Sequence, residues 1–124
     1  MKNILAFAVA VVLSACSTYR AYEYPPTYAF SSTDELFELS VPNAKKRART
    51  LATSDYKKGI YRTLFFGYPT GEGPEERLLR KKYAVYSIPI GCVVSDSVIA
   101  FTETYNDTMK PLLVSHFNTD IFAR

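Results

Sequence analysis

The sequence predicts a small single domain of the α/β or α+β class, with about two strands and three to four helices, behind an N-terminal leader and tether. Three observations predict it. A chain of 124 residues has room for one modest domain and none for a two-domain enzyme. An apolar fraction of 48%, with ten Tyr and eight Phe, can fill a core. Behind residue 34 the segments alternate in character, a helical pattern leading each strand-like run and another closing the chain.

The leader comes first. Lys2 is followed by an unbroken apolar run of ten residues, Ile4–Leu13. A membrane-spanning helix needs about 20 such residues, so the run fits the hydrophobic region of a secretory signal peptide. Leu13-Ser14-Ala15-Cys16 follows it directly. Together these segments resemble the export signal and lipobox of bacterial lipoproteins. The resemblance covers residues 1–16 and is silent about the domain behind them. It implies cleavage of the signal peptide 1–15 and a lipid on the sulfur of Cys16. Several acyl chains anchor a protein stably, each buried methylene contributing about 0.8 kcal/mol. Ser17, where a retained lipoprotein would carry Asp, implies transfer to the outer membrane with the domain facing the periplasm.

Residues 16–33 are expected to form the lipidated end and a Tyr/Pro-rich tether. Pro25-Pro26 favours extended backbone there. The five aromatics of residues 17–31 have no helical or strand period, so they either lie at the membrane interface or fold back onto the domain. The domain proper is expected over 34–124. Ser32 and Glu35 have the spacing of a capping box before Leu36, Phe37 and Leu39, although a strand through Leu36–Val41 fits nearly as well. Ala44, Ala48, Leu51 and Ala52 then share one helical face, with Pro42 suited to the first turn.

Ile60–Phe66 is rich in strand formers, and Gly67 closes it. From Pro74 a helix is expected to Lys82, its acids Glu75 and Glu76 first and its bases last, in accord with the helix dipole. Tyr83–Val94 reads as the second strand, with Pro89 making an edge or a bulge. Ser95 or Ser97 caps the last helix. Its apolar stripe is Val98, Phe101, Tyr105, Met109 and Leu112, and Pro111 is expected to kink it or to start a second helix after a break near Asn106–Thr108.

Several kinds of chemistry are excluded by residue type. One His and two Cys leave no transition-metal ligand set, and no cofactor is expected. Gly67–Gly73 lacks the Lys-Ser/Thr end of a phosphate loop, and no serine nucleophile elbow is present. With Cys16 lipidated, Cys92 is the sole free thiol. Its apolar neighbours Ile88–Val94 favour a packed thiol, with an intermolecular disulfide as an alternative in an oxidising compartment. The catalytic alternative makes Cys92 a nucleophile with His116 as base and Asn118 or Asp120 as orienter. Glu103 and Asp107 are i, i+4 neighbours and are expected to face water.

Charge is uneven. Residues 43–82 carry eleven bases and four acids, a net +7 within a chain of net +3. Lys45, Lys46, Arg47, Arg49, Lys57, Lys58, Arg80, Lys81 and Lys82 form the candidate anion-binding set, the competing reading being solvation of two helix faces. The export signal argues against nucleic acid as a partner. The expected protein is therefore a lipid-anchored, non-catalytic binding or accessory module. Its partner is an envelope protein, a wall polymer or another copy of itself. The alternative is an electrostatic binder of anionic polymers or lipids. Tyr105-Asn106-Asp107 and the stretch 91–96 have the look of motifs to which no function attaches.

Overall fold

The computed structural model describes residues 24–30, 34–67, 72–91 and 94–123. Ser32 of the expected capping box, Cys16 and Cys92 lie outside them. After a 3-10 turn at Pro26–Tyr28 come α1 (Asp34–Phe37), α2 (Val41–Lys57), β1 (Arg62–Phe65), α3 (Pro74–Tyr83), β2 (Tyr86–Pro89) and α4 (Asp96–Phe117). The result is a small single α+β domain with four helices and a two-stranded parallel sheet among the described residues.

Each helix has a local cause. Ser40 caps α2 by accepting from the Asn43 N–H at 3.3 Å, and Pro42 sits in the first turn. Ala44, Ala48 and Ala52 are fully buried, and small residues there let α2 lie close against α4. For α4 the cap is Ser95, which accepts from the Val98 N–H at 3.3 Å. Ser97, the other candidate, is buried and donates to the Leu39 carbonyl, tying the starts of α4 and α2 together. Val98, Phe101, Tyr105, Met109 and Leu113 carry the buried stripe and meet Leu64, Val85, Ile88 and Ile90 from the sheet side.

Three boundaries differ from expectation. The first strand is trimmed to Arg62–Phe65. The second begins only at Tyr86, because α3 runs on through Tyr83 and stops at Ala84, whose left-handed φ of 54° ends the helical path. Beyond Pro89 the pairing continues as single bonds, Ile90 N–H to Phe65 O at 3.0 Å and Gly67 N–H to Gly91 O at 2.9 Å. Finally, α4 is unbroken across Pro111. Pro111 is exposed, while Met109 and Leu113 on either side are fully buried. Packing on both sides of the proline keeps the stripe in phase and outweighs one lost backbone bond.

Arg62 pairs with Tyr86 and Phe65 with Pro89, so both strands run the same way and α3 is the crossover between them. This topology sorts the helix ends. α2 and α3 finish where β1 and β2 begin, and His116 near the end of α4 touches Tyr56 near the end of α2. Helix C-termini therefore gather at one end, the carboxyl pole. The amino pole holds the strand exits and the starts of α2 and α4.

Candidate functional site

Two polar features stand out, one inside the domain and one on its carboxyl pole. The inner one was not anticipated from sequence. Asp55 extends the alanine face of α2 by three residues and is 4% exposed. Arg62 opens β1 and is 6% exposed. The Asp55 Oδ2 atom accepts from Arg62 Nη2 at 2.8 Å and Nε at 3.1 Å, and from the Tyr105 hydroxyl at 2.6 Å. Arg62 Nη1 donates to the Tyr28 carbonyl at 2.6 Å, and its guanidinium lies over the Phe30 ring. One cation thus joins α2, β1, α4 and the N-terminal segment. Burial opposes its charge, but Tyr105 and Asp55 more than offset that, and the Arg62 pKa lies above its ordinary value. Burial, aided by the bond to Asp55, pushes the Tyr105 phenol far above its ordinary 10.0.

Asn106, next along α4, spans the free edge of β1. Its Oδ1 accepts from the Leu64 N–H at 2.8 Å and its Nδ2 donates to the Leu64 carbonyl at 2.9 Å. This gives Tyr105-Asn106 a structural meaning. The pair locks α4 onto the first strand.

Residues 24–30 belong with this cluster. Tyr24, Tyr28 and Phe30 pack against the core, the Tyr28 ring lies 4.9 Å from Tyr86, and Phe30 meets Phe101 edge-on at 5.6 Å. This stretch of the expected tether is therefore folded back onto the domain.

On the surface, Lys45, Lys46, Arg47 and Arg49 are exposed along α2, and Arg47 donates to Glu35 at 2.7 Å. Lys57, Lys58, Lys81 and Lys82 are exposed at the carboxyl pole. Arg80 departs from the expected free set, because its guanidinium is held by both oxygens of Glu72 at 2.7 and 2.9 Å. That bond keeps the Glu72 carboxyl below its ordinary 4.5. A depressed folded value means stability that is present above pH 4.5 and lost as pH falls through the folded value. Glu72→Gln is expected to cost about 0.5–1 kcal/mol at neutral pH and to flatten the acid limb of stability, both read by urea denaturation across pH.

Aromatics pack together between these helix ends. Tyr56 and Tyr61 stack at 5.9 Å, Phe117 meets Tyr61 at 6.1 Å and Tyr83 at 4.8 Å, and Lys82 Nζ sits 5.4 Å from the Tyr83 ring centre. His116 is exposed, its Nδ1 and Nε2 each 3.4 Å from the hydroxyls of Tyr56 and Tyr61. These tyrosines occupy the ring nitrogens for which Asn118 and Asp120 were expected. Asn118 instead ends α4 with a left-handed φ of 54°, and Asp120 accepts from the Phe122 N–H at 3.1 Å. Glu103 and Asp107 both face solvent. No group of three or more His, Cys, Asp or Glu among the described residues is placed to hold a metal. No helix among them is long and apolar enough to cross a membrane.

Compared with known protein families, curated proteins and solved structures, the chain matches none.

Proposed function

We propose that this chain is a lipid-anchored cell-envelope protein of the outer membrane, whose periplasm-facing domain is a non-catalytic binding or accessory module. The observation that carries the reading is the ordered set Lys2, the apolar run Ile4–Leu13 and Leu13-Ser14-Ala15-Cys16. The buried cluster fits the non-catalytic part of the reading, since Asp55 Oδ2, Arg62 and the Tyr105 hydroxyl bond to one another and to the Tyr28 carbonyl. The partner is an envelope protein or a wall polymer. A second reading, an electrostatic binder of anionic polymers or lipids through residues 43–82, is favoured by the exposed cations of α2 and the carboxyl pole.

A thiol mechanism fits less well. His116 belongs to the carboxyl pole, whereas Gly91 and Val94, the described residues flanking position 92, belong to the amino pole. The 22 residues of α4 separate those poles by about 30 Å.

Intact-mass analysis of the chain purified from membranes tests the anchor. The expected species begins at Cys16 and carries a thioether-linked diacylglyceryl group with further acylation. A free Cys16 thiol, or an N-terminus elsewhere, overturns the reading. In-cell crosslinking then separates the partners. A single abundant protein marks an accessory subunit, and wall fragments or lipid mark the electrostatic binder, whose retention should weaken steeply with salt.

A further inference from the structure

We infer that the carboxyl pole is a membrane-docking face, which lays the domain on the anionic phospholipid leaflet holding its own anchor. The inference rests on the reading of Cys16 as lipidated. Three independent observations point to this occupant.

The first is chemical. Tyr61, Tyr83, Tyr86 and Phe117 are half-buried at this pole, each presenting part of its ring outward. Half-buried tyrosines suit a lipid headgroup layer, where the ring body meets apolar matter and the hydroxyl meets water. The second is electrostatic. Exposed Lys57 and Lys58 close α2 in sequence beside Tyr56 and Tyr61, and exposed Lys81 and Lys82 close α3 beside Tyr83, with Lys82 Nζ 5.4 Å from its ring centre. Lysines in a helix's last turn complement its dipole wherever they sit. That accounts for their place in the helix but not for the aromatics between them.

The third is the path of the chain. Tyr24 lies two residues before the 3-10 turn whose Tyr28 hydroxyl donates to the Gly59 carbonyl at the carboxyl pole. The segment that follows the anchored end therefore touches this pole at Tyr28, held there by the bond from Arg62 to the Tyr28 carbonyl. From Cys16 to Tyr24 is eight residues, a span of at most about 29 Å when fully extended. That span is long enough for the carboxyl pole to reach the leaflet.

The test uses the mature lipidated chain in phosphatidylethanolamine nanodiscs, with and without phosphatidylglycerol and doped with a gadolinium-chelating headgroup. Amide signals of Tyr61, Tyr83, Tyr86 and Phe117 are expected to broaden strongly in the phosphatidylglycerol discs, with those of Val41 and Phe66 at the amino pole unaffected. Raising salt from about 0.1 M to about 1 M shortens the Debye length from about 10 Å to about 3 Å and should relieve the broadening. A variant carrying Lys57→Glu, Lys58→Glu, Lys81→Glu and Lys82→Glu should lose it while remaining in the disc. Lys45→Glu with Lys46→Glu and Arg49→Glu, on the flank of α2, should leave it intact. Equal broadening of both poles, none at either, insensitivity to salt and to pole reversal, or loss on flank reversal alone overturns the docking face. A chain that fails to stay in the disc at all shows instead that the anchor is wrong, and both readings fall. Because the salt arm uses the unaltered chain, the test stands even if the fourfold variant does not fold.

Discussion

Arg62→Ala is expected to cost about 3–5 kcal/mol, because it strands the Asp55 carboxylate in a site that is 4% exposed. It also removes the donor to the Tyr28 carbonyl and so frees the N-terminal segment 24–30. Against a total stability of about 5–15 kcal/mol for an ordinary domain, that loss leaves a substantial unfolded population on mild warming. Urea denaturation followed by circular dichroism measures it. A cost below about 1 kcal/mol would mean that water reaches Asp55 and that the cluster does not hold the four segments together. Replacing the cluster as a set, Asp55→Leu with Arg62→Met and Tyr105→Phe, is expected to be far milder than Arg62→Ala alone, since no buried charge is then left unpaired. The raised Tyr105 phenol adds an alkaline signature. Its contribution is full below pH 10.0 and is lost as pH rises toward the folded value, so Tyr105→Phe should flatten the decline in stability above pH 10.0.

Asn106→Ala should cost about 2–3 kcal/mol. It leaves both backbone groups of Leu64 without the side chain that now satisfies them at 2.8 and 2.9 Å. Leu64 itself is 4% exposed, so water cannot replace the lost partner fully. Asn106→Asp separates the two bonds. The carboxylate still accepts from the Leu64 N–H but faces the Leu64 carbonyl with a second acceptor, and it should be at least as damaging as Ala. Amide exchange at Leu64 reads this directly, because protection there depends on the Asn106 oxygen. Unchanged protection in both variants would show that β1 is held by its pairing to β2 alone.

The local pattern did not mark Arg62, and it marked Asn106 only within the motif-like Tyr105-Asn106-Asp107, with no role attached. The alanine face of α2 was readable, since Ala44, Ala48 and Ala52 repeat every four residues and all three are buried. Asp55 lies on that same face, and an acid on an apolar stripe is the signal that could have been read as a buried ion pair. The stripe of α4 was readable for the same reason through Met109, although it ends on buried Leu113 rather than half-buried Leu112, and Ser95 was one of the two caps the sequence offered. Pro111 misled because backbone chemistry alone favours a kink there, whereas Met109 and Leu113 are held from outside the helix. In β2, local composition suggested a strand from Tyr83. The helix before it took that residue, because packing of Tyr83 on Phe117 lies far along the chain.

The sequence by itself determined the helix faces and the basic excess of residues 43–82, and it holds the apolar run Ile4–Leu13 and Leu13-Ser14-Ala15-Cys16 on which the proposed anchor rests. Those features depend on composition and on periods of three or four residues. Only the tertiary structure decided that the strands pair in parallel, that Arg62 meets Asp55 and Tyr105, and that lysines from α2 and α3 converge with aromatics on one pole. Arg62 and Tyr105 are 43 residues apart in sequence and 3.2 Å apart in space. No local propensity encodes that contact. It follows from the crossover through α3, which returns the chain to the edge of β1 and brings the helix C-termini together.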